Sequence, residues 1–164
     1  ENLAKNRGGI ETFGVLPISG SAIRFEIGDV LVGNIRPYLK KVWLSDRDGG
    51  TNGDVLTFRI KPEFVGKIDS RFAYQWLSSD EFFDYAVSTS KGAKMPRGDK
   101  NAIMRYRFPV VSQAAQTEVL RALESFQMLT ADLSSGIPAE IEARRKQYEY
   151  YRDQLLTFKE LDVA

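Results

Sequence analysis

The side chains best able to do chemistry in this chain are cations and hydroxyls. From Ser88 to Arg107 the sequence reads Ser-Thr-Ser-Lys-Gly-Ala-Lys-Met-Pro-Arg-Gly-Asp-Lys-Asn-Ala-Ile-Met-Arg-Tyr-Arg. Lys91, Lys94, Arg97 and Lys100 bring charge, Ser90 brings a hydroxyl, and Gly92 and Gly98 allow close backbone approach. That composition suits a loop touching an anion such as phosphate. Composition alone leaves a solvated linker as the alternative. A second basic cluster, Arg36, Lys40 and Lys41, surrounds Pro37 and Tyr38. Read as strand, that stretch puts Lys40 and Lys41 on opposite faces, so at most one shares a surface with Tyr38. The polar stretch Ser45 to Asn52 adds Asn52 as a third candidate contact. Near the start, Asn2, Lys5, Asn6 and Arg7 could touch a phosphate backbone, but a solvated loop is the simpler reading.

Other chemistries are closed off. The 164 residues include no Cys and no His. This chain therefore offers no Ser-His-Asp triad, no Cys-His pair and no metal site built on either residue. Asp46, Asp48 and Asp54 lie near turns, but no recognisable spacing ties them to a lysine as a nuclease would need. The hydrophobic fraction, 43%, is enough for a sizeable core, and the formal net charge is only +1. A protein that coats DNA is usually far more basic, so contact with nucleic acid must be a local patch. There is no apolar run of membrane-spanning length and no signal-peptide pattern, which leads us to expect a cytoplasmic protein with no membrane partner. Because the first residue is Glu1, the chain reads as a fragment or a processed product.

The elements that must position these residues follow from the hydrophobic pattern. Residues 1–20 read as loop with one short strand at most. Strands are expected at Ala22–Glu26, Asp29–Ile35, Tyr38–Leu44 and Asp54–Ile60, with turns at Gly28-Asp29 and Ser45–Gly53. The last three of these strands suggest a meander or a small curled sheet. Asp69 or Ser70 can cap a helix carrying Phe72, Ala73, Trp76 and Leu77 on one face, and Ser79 or Asp80 a second through Phe82, Phe83, Ala86 and Val87. These aromatics read as core. Phe108–Val111 suggests a final strand.

A helix is then expected from about 112 to 133, with Val119, Leu120, Leu123, Phe126, Thr130 and Leu133 on its buried stripe. After a break at 134–137, a long helix runs from about 138 to 159. In it Ile141, Tyr148 and Leu155 recur every seven residues, as do Ile137, Arg144, Tyr151 and Phe158 offset by four. This is a heptad seam with one charged breach, at Arg144. Such a helix reaches roughly 30 Å. It must pack along its own domain or pair with another chain, through Ile137, Ile141, Tyr148, Tyr151, Leu155 and Phe158. Base stacking by Tyr148, Tyr150 and Tyr151 is the competing reading.

Gly28-Asp29-Val30-Leu31-Val32-Gly33-Asn34-Ile35-Arg36-Pro37-Tyr38-Leu39-Lys40-Lys41 resembles the central motif of target-recognition domains in specificity subunits of type I restriction–modification systems. Lys91-Gly92-Ala93-Lys94-Met95-Pro96-Arg97-Gly98-Asp99-Lys100 resembles a loop further along such domains. Phe108-Pro109-Val110-Val111 with Gln116 resembles the start of their conserved helical spacer. Gln147-Tyr148-Glu149-Tyr150-Tyr151-Arg152 with Leu155, Leu156 and Phe158 resembles the spacer's end.

The resemblance implies an α+β protein: a small mixed or curled sheet with helices, then a long C-terminal helix paired in an antiparallel coiled coil. Residues 1–111 would form the target-recognition domain, with its opening strands lying before Glu1, and residues 112–164 the spacer. Such a subunit is not an enzyme. It reads one half of a split double-stranded DNA target per recognition domain and docks modification and restriction subunits. No cofactor belongs to this chain; S-adenosylmethionine, ATP and Mg2+ belong to those partners. The second spacer helix would come from another half-subunit, giving a homodimer, or from the other half of a full subunit. A protein–protein adaptor, or an antirestriction-type decoy without DNA contact, is the alternative.

Overall fold

The computed structural model of the protein describes residues 3–10, 22–131 and 138–158. The chain divides into two compact units, Glu1–Arg107 and Phe108–Ala164.

The first unit is α+β. Strand β1 (Ile23–Phe25) is followed by β2 (Val30–Gly33), a 3-10 turn at Pro37–Leu39, and β3 (Val42–Leu44). Two more strands, β4 (Gly49–Thr51) and β5 (Val55–Phe58), complete the β structure. The main sheet is antiparallel, in the order β3-β2-β5; β1 and β4 form a separate antiparallel pair. Strand β2 has no polar side chain and is buried along its whole length, as a central strand covered on both faces should be. Leu31 faces Trp43 in register and joins Leu3, Phe25 and Val55 in one cluster. Successive residues of a strand alternate sides, so Val30 and Val32 serve the other face.

Helix α1 (Ser70–Leu77) packs against β2 and β3. The Asp69 carboxylate caps it by accepting from the Arg71 amide at 2.8 Å. Helix α2 (Asp80–Ser88) is capped by Ser79, whose hydroxyl accepts from the Phe82 amide at 3.2 Å. Of the aromatics read as core, Phe72, Phe82 and Phe83 are fully buried. Phe82 meets Phe83 and Tyr106 edge-on, each at 5.3 Å between ring centroids. Val87 differs from that reading: it is exposed.

In the second unit, α4 (Gln113–Ala131) and α5 (Pro138–Leu155) run antiparallel. Phe126 stacks on Tyr151 at 4.9 Å and 3°, and Gln127 Nε2 donates to the Tyr148 hydroxyl at 3.0 Å. Tyr148 and Tyr151 thus meet a helix of their own chain, with Leu155 and Phe158 half-buried and Ile141 exposed. Arg144, the breach in the seam, pairs with Glu140 one turn earlier. Arg152 is 1% exposed and holds Asp153 at 2.7 Å. Ile137, Leu133 and Asn2 lie outside the described residues.

Several expectations are corrected. The three strands are not a meander, because β5 joins the far edge of β2 rather than β3. The strand expected over Tyr38–Leu44 is cut to Val42–Leu44, since Pro37 opens a 3-10 turn. The stretch Ser45–Gly53 is not wholly turn. Gly49 lies opposite Phe25, and a side chain there would stand 2.5 Å from its ring, so glycine makes the β1–β4 pairing possible. Phe108–Val111 forms no strand, and the basic stretch contains a short helix, α3 (Lys100–Ile103).

Candidate nucleic-acid interface

Two exposed features meet where β2 runs out of the sheet. Past Gly33, the Asn34 amide donates to Asp54 O at 2.8 Å, the Gly98 amide to Asn34 O at 3.0 Å, and the Arg36 amide to Pro96 O at 2.7 Å. Lys91 and Arg97 exchange amide hydrogen bonds at 2.8 and 2.9 Å. Residues 91–97 therefore close into a narrow basic hairpin, its return arm fastened to the sheet. Gly92 turns it at a φ of +98°, and Ala93, Lys94 and Met95 stand exposed at the tip. Gly98 is buried. A methyl group there would lie 2.6 Å from Asn34 Oδ1 and 2.8 Å from Ile103 Cδ1, so its smallness serves the fastening.

The cations of the basic stretch divide by partner. Lys91 pairs with Asp99 at 2.6 Å, Arg97 with Asp54 at 3.3 Å, and Lys100 donates to Gly53 O at 3.2 Å. Asp99 also caps α3 through the Asn101 and Ala102 amides. The Lys91 hydrogen bond, then those amides, hold its carboxyl below the usual carboxylate range. The Lys94 ammonium makes no such tie among the described residues. Ser90 Oγ donates to Val87 O at 2.7 Å, finishing α2, and Asn52 Oδ1 accepts from the Asp54 amide at 3.0 Å, shaping the turn before β5.

The second feature is the Arg36–Lys40 turn. Arg36 and Lys40 flank the 3-10 residues with left-handed backbones, at φ values of 52° and 48°. Opposite them stands another left-handed pair, Asn6 and Arg7, at 52° and 59°. The Asn6 amide donates to Leu39 O and the Arg7 amide to Lys40 O, both at 2.8 Å. Among the described residues these four are the only non-glycine positions with positive φ. Each such residue costs about 1 kcal/mol, so the two turns hold one another in unfavourable conformations.

Side chains tighten the arrangement. Arg7 Nε donates to Ser78 O at 2.5 Å, its guanidinium pairs with Asp80, and it lies 5.8 Å from the centre of the Phe83 ring. Lys40 pairs with the same Asp80 oxygen. Burial opposes charge on Asp80, but the hydrogen bonds from Lys40 and Arg7 outweigh it and hold the carboxyl below its usual range. Pro37 is buried, Lys41 is half-buried, and Tyr38 stands 51% exposed on the crest. Arg36 Nε is buried without a hydrogen-bond partner among the described residues.

The structure thus brings Arg36 and Arg97 onto one strand end through their backbones, and it separates presented side chains from committed ones. Tyr38 and Lys94 are presented; Lys40 is tied to Asp80, while Asn52 and Ser90 hydrogen-bond their own local backbone. Arg7, placed by sequence in a phosphate-touching or solvated loop, is instead an anchor with a side chain 10% exposed. Sequence reasoning gave no partner role to Asn34, Asp54, Asp80 or Asp99; Asp80 carried a signal as a helix cap, and Asp99 lies only eight residues from Lys91, within the basic stretch itself. No helix among the described residues is long and apolar enough to cross a membrane, and no acidic cluster there gathers to hold a metal ion.

No family model matches the chain. Curated relatives do. The chain is 31% identical over 88 residues to the type I restriction enzyme EcoR124I/EcoR124II specificity subunit of Escherichia coli, covering 54% of this chain and 22% of that one. It is 53% identical over 55 residues to the EcoprrI specificity subunit of the same organism, covering 34% and 14%. A Mycoplasma pneumoniae protein, named as the C-terminus of a type I specificity subunit, is 38% identical over 104 residues, covering 63% and 65%. The chain therefore spans about a fifth or less of the length of the Escherichia coli relatives it matches.

Proposed function

From this kinship with specificity subunits of type I restriction enzymes, we propose that the chain reads double-stranded DNA for a restriction–modification system. Its first unit recognises one half of a bipartite target, and its helical unit serves as the spacer that sets the distance to the other half. The spacer pairs with a second spacer helix, from another half-subunit or from the rest of a full subunit. The chain performs no catalysis. It docks modification subunits, which methylate with S-adenosylmethionine, and a restriction subunit, which uses ATP and Mg2+, in the cytoplasm.

The observation that carries this reading is the basic hairpin, fastened to the sheet through Asn34 and Arg36 and presenting Lys94 at its exposed tip. A near-neutral chain can read DNA in this way, because a few placed contacts select sequence while partner subunits share the phosphate contacts.

The test is methylation mapping by long-read sequencing in cells that carry the subunit with its modification subunit alone. A split methylated motif is the expected result. Lys94→Ala should then weaken binding to all duplexes alike and lower the slope of log affinity against log salt by about 1. A stable complex that methylates nothing, and that ignores Lys94→Ala, would make the chain an adaptor without DNA contact.

A further inference from the structure

Among the described residues, all four left-handed non-glycine positions converge on the Arg36–Lys40 turn, and one carboxylate, Asp80, ties both Arg7 and Lys40. Strained backbone persists only where surrounding structure over-determines it, and it gathers at sites that must hold a fixed geometry. The exposed product of this arrangement is Tyr38. The cation beside it, Lys40, spends its charge on Asp80.

We propose that Asp80 and Arg7 are positioning residues for DNA recognition. They touch no DNA, but hold the turn so that Tyr38, rather than Lys40, is the side chain it offers to the duplex. The Tyr38 phenol is suited to a base edge or a phosphate oxygen, as donor or acceptor. The inference rests on the DNA-reading function proposed above.

The charges give the test its sign. Removing a carboxylate from a DNA-facing surface strengthens attraction to every duplex if charge alone matters. Removing a positioning residue weakens only the specific complex. The assembled subunit with its modification subunits would be titrated by fluorescence anisotropy against two probes: a duplex carrying the mapped methylation motif and a scrambled duplex of the same length. We expect Tyr38→Ala to weaken binding to the motif duplex about tenfold, the ratio for one lost contact. Asp80→Asn should weaken it about fivefold while leaving scrambled binding unchanged or tighter. The double variant should be no weaker than Tyr38→Ala alone, since contacts acting through one element do not add.

Equal tightening on both probes by Asp80→Asn would overturn the proposal in favour of simple charge. Multiplying losses, about fiftyfold in the double variant, would overturn it in favour of independent roles. Should Asp80→Asn fail to assemble, Lys40→Met takes its place in the cycle. It cuts one tie and should weaken only the motif duplex, in a way not additive with Tyr38→Ala; equal loss on both probes would make Lys40 a phosphate contact and overturn the proposal. An unaltered complex that binds neither probe would overturn the DNA-reading function as well, whereas motif binding with additive losses overturns the positioning role alone.

Discussion

The Lys91–Arg97 hairpin and the Arg36–Lys40 turn grow from the same strand end, yet different forces hold them. The hairpin carries exposed ion pairs, Lys91–Asp99 and Arg97–Asp54, over a short stretch of backbone pairing. Exposed pairs of this kind contribute only a few tenths of a kcal/mol each, and salt weakens them. The turn depends on backbone hydrogen bonds to a second turn and on a half-buried carboxylate shared by two cations. Of the two features, the one with more cations places them in the more exposed ion pairs. Charge density on a loop thus says little about how firmly it is placed.

The largest effect should come from the fastening common to both. In Gly98→Val the new side chain meets Asn34 and Ile103 well inside contact distance. Overpacking of that kind costs about 2–3 kcal/mol, read as a lower Tm, and amide exchange at Lys91 and Arg97 should speed up. If Arg36 exchanged faster as well, the two features would be mechanically one.

Asp80→Asn should be milder, about 1–2 kcal/mol for lost charge-assisted hydrogen bonds. It should speed exchange at Asn6 and Arg7 and leave Arg97 untouched. It also has a pH signature. Asp80 is held below the usual carboxylate range, so its contribution is complete above the unfolded value of about 4 and is lost as pH falls through the lower folded value. Acid titration of stability in that window should be shallower in the variant.

The smallest effect is expected from Lys91→Ala, within about 0.5 kcal/mol. Raising salt to about 1 M, where the screening length falls to about 3 Å, should loosen the hairpin amides and spare Asn6 and Arg7. Equal loosening of both features would erase the distinction.

Local signals made much of this fold legible. The apolar run Val30–Val32 marked a buried strand, Asp69 and Ser79 marked helix starts, and Tyr148 and Tyr151 marked the face of α5 that meets α4. The failures share a cause, which is dependence on partners far along the chain. Gly49 and Gly50 signal a turn, yet they lie in a strand whose close neighbours, the Phe25 ring over Gly49 and Ala22 over Gly50, come from more than twenty residues earlier. Lys40 looked like a free cation, but Asp80 lies forty residues away. Arg7 sat in a glycine-rich stretch, and its neighbours Ser78 and Phe83 are more than seventy residues on. Charge composition singled out the basic stretch as a candidate for anion contact, with a solvated linker as the alternative. It could not rank the four cations, because their partners are set by tertiary structure.

Buried Gly98 and Asn34, with inward-tied Arg7 and Asp80, fix the backbone, whereas Tyr38, Lys94 and Met95 face outward with little structural duty. In evolutionary terms the frame and the exposed, freely variable surface are written on different residues. Under the DNA-reading function proposed above, a lineage of such proteins would change what it reads by exchanging a few crest and tip side chains, with no insertion or refolding. The same separation makes those positions the ones to randomise in a library aimed at new targets.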